Sequence, residues 1–128
     1  MQHYKVLYVE DNPQNMRLVR KILSANGYMV IEAVDGLTGL RLAEQEMPDV
    51  ILMDVNLPDI DGLEATKRLK ENALVQHIPV IALTANAMHG DRERCLAAGC
   101  NGYLPKPITK HELLSTVARF LTQRVEAQ

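Results

Sequence analysis

Three stretches of this chain are apolar at every position: Val6-Leu7-Tyr8-Val9, Val50-Ile51-Leu52-Met53 and Val80-Ile81-Ala82-Leu83. A strand with one face in water alternates apolar and polar residues, whereas a wholly apolar strand must be covered on both faces. That is the situation of a parallel sheet lying between two layers of helices. The three stretches fall in the runs Lys5–Val9, Val50–Met53 and Val80–Leu83, and two further short runs occur at Met29–Ala33 and Gly102–Leu104. A longer amphipathic segment follows each of them, so the order reads βαβαβαβαβα.

The amphipathic segments carry helix punctuation. Asn12-Pro13 is an N-cap with proline at the first helical position. Met16, Val19 and Leu23 then share a face, and Gly27 supplies a stop. Asp35-Gly36 opens a second helix, expected to turn Leu37, Leu40 and Ala43 inward and to close before Pro48. Asp61 with Glu64 reads as a capping box for a third. Asn86 is expected to cap a fourth, ending near Ala98-Gly99. Thr109-Lys110-His111-Glu112 is a second capping box, before Leu113, Leu114, Val117, Phe120 and Leu121.

Alternation of this kind implies right-handed crossovers and an α/β fold with a doubly wound sheet. Ligands of such sheets bind beyond the carboxyl ends of the strands, where the strand order reverses. The first strand runs into Glu10-Asp11, the third into Asp54, the fourth into Thr84, and the fifth is followed after Pro105 by Lys106. The second ends in Ala33-Val34, with nothing chemical to offer. A five-stranded parallel (βα)5 sheet of flavodoxin-like order 2-1-3-4-5, adopted by analogy, makes strand 2 the outsider. It also makes Asp11 and Asp54 neighbours.

Each of these residues has an ordinary explanation when taken alone. An acidic pair after a strand is usually solvated or capping, Asp54 could be a turn residue before Pro58, and a lone threonine or lysine is usually structural or exposed. Together they are a constellation. Crowded carboxylates repel, and one stays protonated unless a cation is present. Oxygen-only donors suit Mg²⁺, with Mn²⁺ able to substitute, and the lack of a local His/Cys cluster argues against zinc. With the Lys106 ammonium and the Thr84 hydroxyl, such a metal forms a clamp for a phosphoryl group. The Asp54 carboxylate can itself be the nucleophile, giving an acyl phosphate.

At 128 residues the chain is expected to be one domain (1–128, core about 4–124), with 47% apolar and 23% charged residues. A net charge of -2 provides no general attraction to nucleic acid or anionic membrane, so direct nucleic-acid binding is not expected. No apolar run approaches the roughly 20 residues that span a bilayer, and the N-terminus lacks the long apolar stretch of a secretion signal. Cys95 and Cys100 lack CxxC spacing and read as packing groups in a reducing cytoplasm, the default location. His3, His77, His89 and His111 are scattered and carry no assigned chemistry. Lys67, Arg68 and Lys70 read as a solvated helix face.

The stretches Val6–Asn12 (VLYVEDN), Asp49–Asp54 (DVILMD), Leu57–Gly62 (LPDIDG), Ile81–Ala85 (IALTA) and Tyr103–Pro107 (YLPKP) resemble, over essentially the full length, the receiver domain of two-component response regulators. The resemblance implies that Asp54 is the phosphoacceptor, and that Glu10 and Asp11 hold Mg²⁺ with Asp54 and the backbone carbonyl of Asn56, Glu10 acting through water. It implies that Thr84 and Lys106 bind the phosphoryl oxygens and that Tyr103 is the aromatic switch partner of Thr84. Asn56 and Asn86 match positions that modulate phosphate lifetime. Lys106-Pro107 matches a bond that is cis in the family, and Ala85 should leave the site open to a partner's histidine.

The expected cycle starts from a phosphohistidine on a histidine kinase or histidine phosphotransfer protein. It ends in a changed surface of the fourth helix, fifth strand and fifth helix, read by a downstream protein. Met1 directly before the first strand suggests a free-standing regulator, and a receiver excised from a hybrid histidine kinase is the alternative. An Asp-nucleophile phosphatase would want a second carboxylate where Asn56 stands. A flavin or nucleotide module would want a phosphate loop where Glu10-Asp11-Asn12-Pro13 stands.

Overall fold

A strand that is apolar at every position needs two hydrophobic layers, and β1 (Lys5–Val9), β3 (Val50–Asp54) and β4 (Val80–Thr84) receive them. The structure is a computed structural model describing residues 3–85 and 90–126, with side chains as far as Thr122. With β2 (Met29–Ala33) and β5 (Gly102–Pro105), these strands form one parallel sheet of order β2-β1-β3-β4-β5. The connecting helices are α1 (Pro13–Ala25), α2 (Gly36–Glu46), α3 (Gly62–Glu71) and α4 (Arg92–Ala98), with α5 (Lys110–Glu126) closing the fold. The expected flavodoxin-like (βα)5 topology is the one observed.

Successive strand residues point to opposite faces, and the core divides accordingly. Val6, Tyr8, Leu52, Ile81 and Leu83 pack against Met16, Val19 and Leu23 of α1 and Leu113, Val117 and Phe120 of α5. Leu7, Val9, Ile51, Met53 and Val80 pack on the other face against Ala43 of α2 and Ala65 and Leu69 of α3. Burying each large aliphatic side chain contributes about 1.5–3 kcal/mol. Exposed ion pairs such as Arg20–Glu32 at 3.2 Å contribute about 1 kcal/mol at most. Burial of the strands therefore dominates stability.

The helix signals act largely as their chemistry requires. The Asn12 side chain accepts the N–H groups of Gln14 and Asn15 at 2.9 and 3.1 Å. Gly27 takes φ 88°, which lets the Tyr28 N–H reach back to the Leu23 carbonyl at 3.1 Å. Thr109 and Glu112 are paired, with one half of the box in place: the Glu112 N–H donates to the Thr109 hydroxyl, and that hydroxyl, rather than the Thr109 N–H, donates to Glu112 Oε1. The box at Asp61 is half made. Asp61 accepts the Glu64 N–H at 2.8 Å, while the Glu64 carboxylate turns to Arg68.

Two expectations differ from the structure, and a third falls outside the described residues. Leu37 is 53% exposed, because α2 rests on Gly36, Gly39 and Ala43 instead. A methyl at Gly39 would lie 2.8 Å from Val9 Cγ2, so glycine lets the helix backbone approach the sheet. That rotates Leu37 out of the contact stripe, while Leu40 remains packed against the core. Lys70 does not share the solvated face of Lys67 and Arg68. It is half-buried, donating to the carbonyls of Ile78 and Gln76 at 2.8 and 3.2 Å, and burial lowers its pKa. Asn86, expected to cap the fourth helix, lies outside the described residues, and α4 follows Asp91, whose side chain makes no cap hydrogen bond.

Among the described residues, no helix is long and apolar enough to cross a membrane.

Candidate functional site

Parallel register brings the carboxyl ends of β1, β3, β4 and β5 to one edge. Val9 pairs with Met53, Asp54 with Leu83, and Thr84 with Pro105. Glu10, Asp54 and Thr84 are buried there, and Asp11 is exposed. One carboxylate oxygen from each of Glu10, Asp11 and Asp54 lies within 4.8 Å of the others. Asp54 Oδ1 accepts from Lys106 Nζ at 2.9 Å and from the Asn56 N–H at 3.3 Å.

Glu10 is more fully engaged. Its Oε1 accepts the Tyr8 hydroxyl at 2.9 Å, Asn15 Nδ2 at 3.4 Å and Lys106 Nζ at 3.5 Å, and its Oε2 accepts the Asn12 N–H at 3.2 Å. Three carboxylates face one ammonium, so the cluster is short of positive charge. Burial of Glu10 and Asp54 makes that shortage costly. An all-oxygen donor set of this kind could hold a hard divalent cation.

The backbone around Asp54 is held tightly. The Val55 N–H donates to the Leu83 carbonyl at 3.1 Å, and the Gly62 N–H donates to the Val55 carbonyl at 2.8 Å. A Cβ on Gly62 would stand 2.0 Å from the Asp54 carbonyl oxygen, so α3 begins in direct contact with the backbone of the site. Asp59, in the same connection, accepts the N–H groups of Gly36 and Leu37, each at 2.8 Å. Slight desolvation raises its carboxyl, but those backbone donors outweigh it and leave the pKa lowered. Asp59 thus ties the β3–α3 connection to the start of α2.

On the other side of Asp54, the Thr84 hydroxyl donates to Asp91 Oδ2. Asp91 is buried, and its Oδ1 accepts Arg94 at 2.8 Å. Tyr103 is half-buried on the edge strand, packed against the cluster of Val55, Leu63, Ala82, Cys95 and Cys100. The Arg92 guanidinium lies 5.8 Å from its ring centroid. Lys106-Pro107 is cis, and the Lys106 N–H donates to the Thr84 carbonyl at 2.8 Å.

Glu10, Asp11, Asp54 and Lys106 are therefore brought together as the spacing suggested, and Asn56 joins them through its backbone N–H, its side chain being exposed. Thr84 arrives at the same edge with its hydroxyl on Asp91, Tyr103 stands one strand further out, and Ala85 is exposed. Asn86 lies outside the described residues. Sequence reasoning passed over Tyr8, Asn15, Asp59 and Asp91. For Tyr8 a signal existed: a hydroxyl in an apolar strand, two residues before Glu10 and so on the same side. Asp91 had no such signal, since its meeting with Thr84 depends on how the chain between them folds.

Several protonation equilibria here point one way. Burial lowers the Lys106 pKa, but the Asp54 and Glu10 carboxylates outweigh it and leave it raised. Burial, then the charge of Glu10, pushes the Tyr8 phenol up. Burial and the neighbouring Cys100 push the Cys95 thiol up to about 12, and burial likewise raises Cys100. A raised folded-state pKa stabilises fully below the unfolded value, and that contribution is lost as pH rises towards the folded value. Urea titrations should therefore show stability falling progressively above about pH 8.5, where unfolded thiols begin to ionise. A flat or rising profile from there to pH 11 (about the range of unfolded Lys and Tyr) would contradict this reading.

Comparison with known proteins bears on the same constellation. Residues 6–118 match the family model of the response regulator receiver domain. The chain is 47% identical over 116 residues to the polar-differentiation response regulator DivK of Brucella anthropi, covering 91% of this chain and 94% of that protein. The receiver domain of a sensor histidine kinase from Pseudomonas aeruginosa PAO1, solved with a magnesium ion in its active-site cleft, superposes with a TM-score of 0.89. It is 42% identical, over 94% of this chain and 99% of that one. The chemotaxis response regulator CheY4 of Vibrio cholerae superposes at 0.88 with 32% identity, over 93% and 99% of the two chains. Strand order, acidic edge and sequence match agree, and the chain belongs to the response regulator receiver domain family.

Proposed function

We propose that Asp54 accepts a phosphoryl group from a phosphohistidine of a histidine kinase or histidine phosphotransfer protein, and that the modification is read by a downstream protein. The supporting observation is the position of Asp54: buried at the strand edge, 2.9 Å from Lys106 Nζ and within the cluster of Glu10 and Asp11. An Asp54 oxygen bonds to phosphorus as the phosphorus–nitrogen bond to the donor imidazole breaks, and the imidazole leaves with the electron pair. Glu10, Asp11, Asp54 and the backbone carbonyl of Asn56 would hold Mg²⁺, or Mn²⁺ in its place, which supplies neutralising charge for the phosphoryl oxygens.

The remaining work falls to the chain's own groups. Lys106 already stands beside Asp54 and donates to a new phosphoryl oxygen with little movement. The Thr84 hydroxyl exchanges Asp91 for a phosphoryl oxygen. Asp91 directly precedes α4, so that exchange alters what holds the start of the helix. Thr84 moving inward leaves room for the Tyr103 ring, and the α4–β5–α5 surface changes with it. The phosphoryl group need only favour one of two packings. The exposed Asn56 side chain, with Asn86, would act on access of water and hence on phosphate lifetime.

Incubation with Mg²⁺ and acetyl phosphate, or with a phosphorylated histidine phosphotransfer protein, should yield an acid-stable, base-labile adduct that EDTA suppresses. Asp54→Asn should abolish it. An adduct undiminished in Asp54→Asn would contradict the proposal, and rapid multiple turnover of varied phosphate esters would indicate an enzyme instead.

A further inference from the structure

Tyr8 lies in β1 with no exposed surface, surrounded by the aliphatic residues packed between the sheet and helices α1 and α5. Phenylalanine would fill the same space, so the hydroxyl needs a separate reason. It points along the strand towards the functional edge and donates to Glu10 Oε1 at 2.9 Å, the shortest of the four hydrogen bonds that Glu10 accepts from the described residues. Glu10 is 1% exposed. A buried carboxylate without donors is costly, and it recruits whatever donor lies within reach. Beside Tyr8, Oε1 has two donors, both long: Asn15 Nδ2 at 3.4 Å and Lys106 Nζ at 3.5 Å. Of these Lys106 carries the charge and is shared, standing 2.9 Å from Asp54.

A neutral donor on Glu10 therefore has two consequences. It fixes the direction in which the carboxylate faces the cluster with Asp11 and Asp54, as outer-shell partners do for metal-binding groups elsewhere. It also relieves Glu10 of the need to draw the ammonium away from Asp54. We propose that Tyr8 is a positioning residue: through its hydrogen bond to Glu10 it orients that carboxylate for a divalent cation and leaves Lys106 on Asp54. The inference rests on the reading of Glu10, Asp11 and Asp54 as a divalent-cation site.

Calorimetric titration of the unphosphorylated full chain with Mg²⁺ tests it without reference to phosphoryl transfer. Tyr8→Phe should weaken the Mg²⁺ dissociation constant by about tenfold, the lower end of what loss of an outer-shell partner costs. In a Glu10→Gln background the same substitution should change the constant by less than about twofold, because the two positions act as one unit. Melting in EDTA separates this from packing. A tyrosine with only a structural role would lower the melting temperature of Tyr8→Phe and leave its Mg²⁺ affinity at the wild-type value, which would overturn the inference. Equal losses of affinity in the wild-type and Glu10→Gln backgrounds would overturn it as well. Asp11→Asn serves as the control for the metal reading. Unchanged Mg²⁺ binding in that variant would refute the cation site itself and the inference with it, whatever Tyr8→Phe does.

Discussion

Replacement of Lys106 by alanine is expected to slow phosphoryl transfer to Asp54 by about a hundredfold, the scale on which removal of one preorganised donor acts, while tightening Mg²⁺ binding. The two effects have one origin. Lys106 Nζ supplies a positive charge to Asp54 at 2.9 Å and to Glu10 at 3.5 Å. Without it nothing donates to the incoming phosphoryl oxygen from that side, yet the carboxylates are left more negative and more attractive to a dication. Some modification should survive, but the phosphorylated variant should show little of the wild-type change in affinity for its protein partner. Initial rates of adduct formation and Mg²⁺ titration check this. An unchanged rate, or weaker Mg²⁺ binding in Lys106→Ala, would contradict it.

Gly62→Ala is expected to be the most damaging of the glycine substitutions near the site. The added methyl would stand 2.0 Å from the Asp54 carbonyl oxygen, 2.8 Å from its carbonyl carbon and 2.9 Å from Val55 Cα. All three are backbone atoms, and hydrogen bonds on both sides of Val55 hold them in place. At Gly36 the near atom is instead Ile60 Cγ1 at 2.5 Å, part of a side chain that can rotate, and at Gly27 nothing lies within 4 Å. Overpacking against an unyielding wall costs about 3 kcal/mol, or a melting temperature lower by about 10 °C for a chain of this size. Gly27→Ala should cost only about 1 kcal/mol, through its left-handed φ of 88°. A Gly62→Ala melting temperature close to wild type would show that the β3–α3 connection is looser than described. Relief of the clash also requires moving Asp54, so phosphoryl transfer should fall with stability.

The parts of this molecule that were legible in its sequence are those where one residue type answers one local demand. β1, β3 and β4 were legible because a run apolar at every position has one comfortable environment, and Asp54 because it ends such a run. The strand order needed analogy, since periodicity says nothing of which strands are neighbours. Leu37 shows the first limit. Its spacing from Leu40 suits a helix face, but the glycines at 36 and 39 let the backbone itself serve as the packing surface. Lys70 shows the second. A lysine on an amphipathic helix reads as solvated until the chain returning to β4 places the Ile78 carbonyl over it. The hydrogen bond between Thr84 and Asp91 is a tertiary contact across a helix start and has no local signature. Tyr8 is a different case: its place two residues before Glu10 is visible in the sequence, but a run that is apolar at every position says nothing of what its one hydroxyl meets.

The central claim is that the acyl phosphate forms on Asp54, and the most direct measurement locates the bond itself. Borohydride reduces an aspartyl phosphate to homoserine, leaving a permanent mark at the modified residue. Protein treated with Mg²⁺ and acetyl phosphate, then reduced and digested, should carry homoserine at position 54 and none at Asp11 or Asp59. Homoserine at either of those residues, or none anywhere despite a measured phosphoryl adduct, would contradict it.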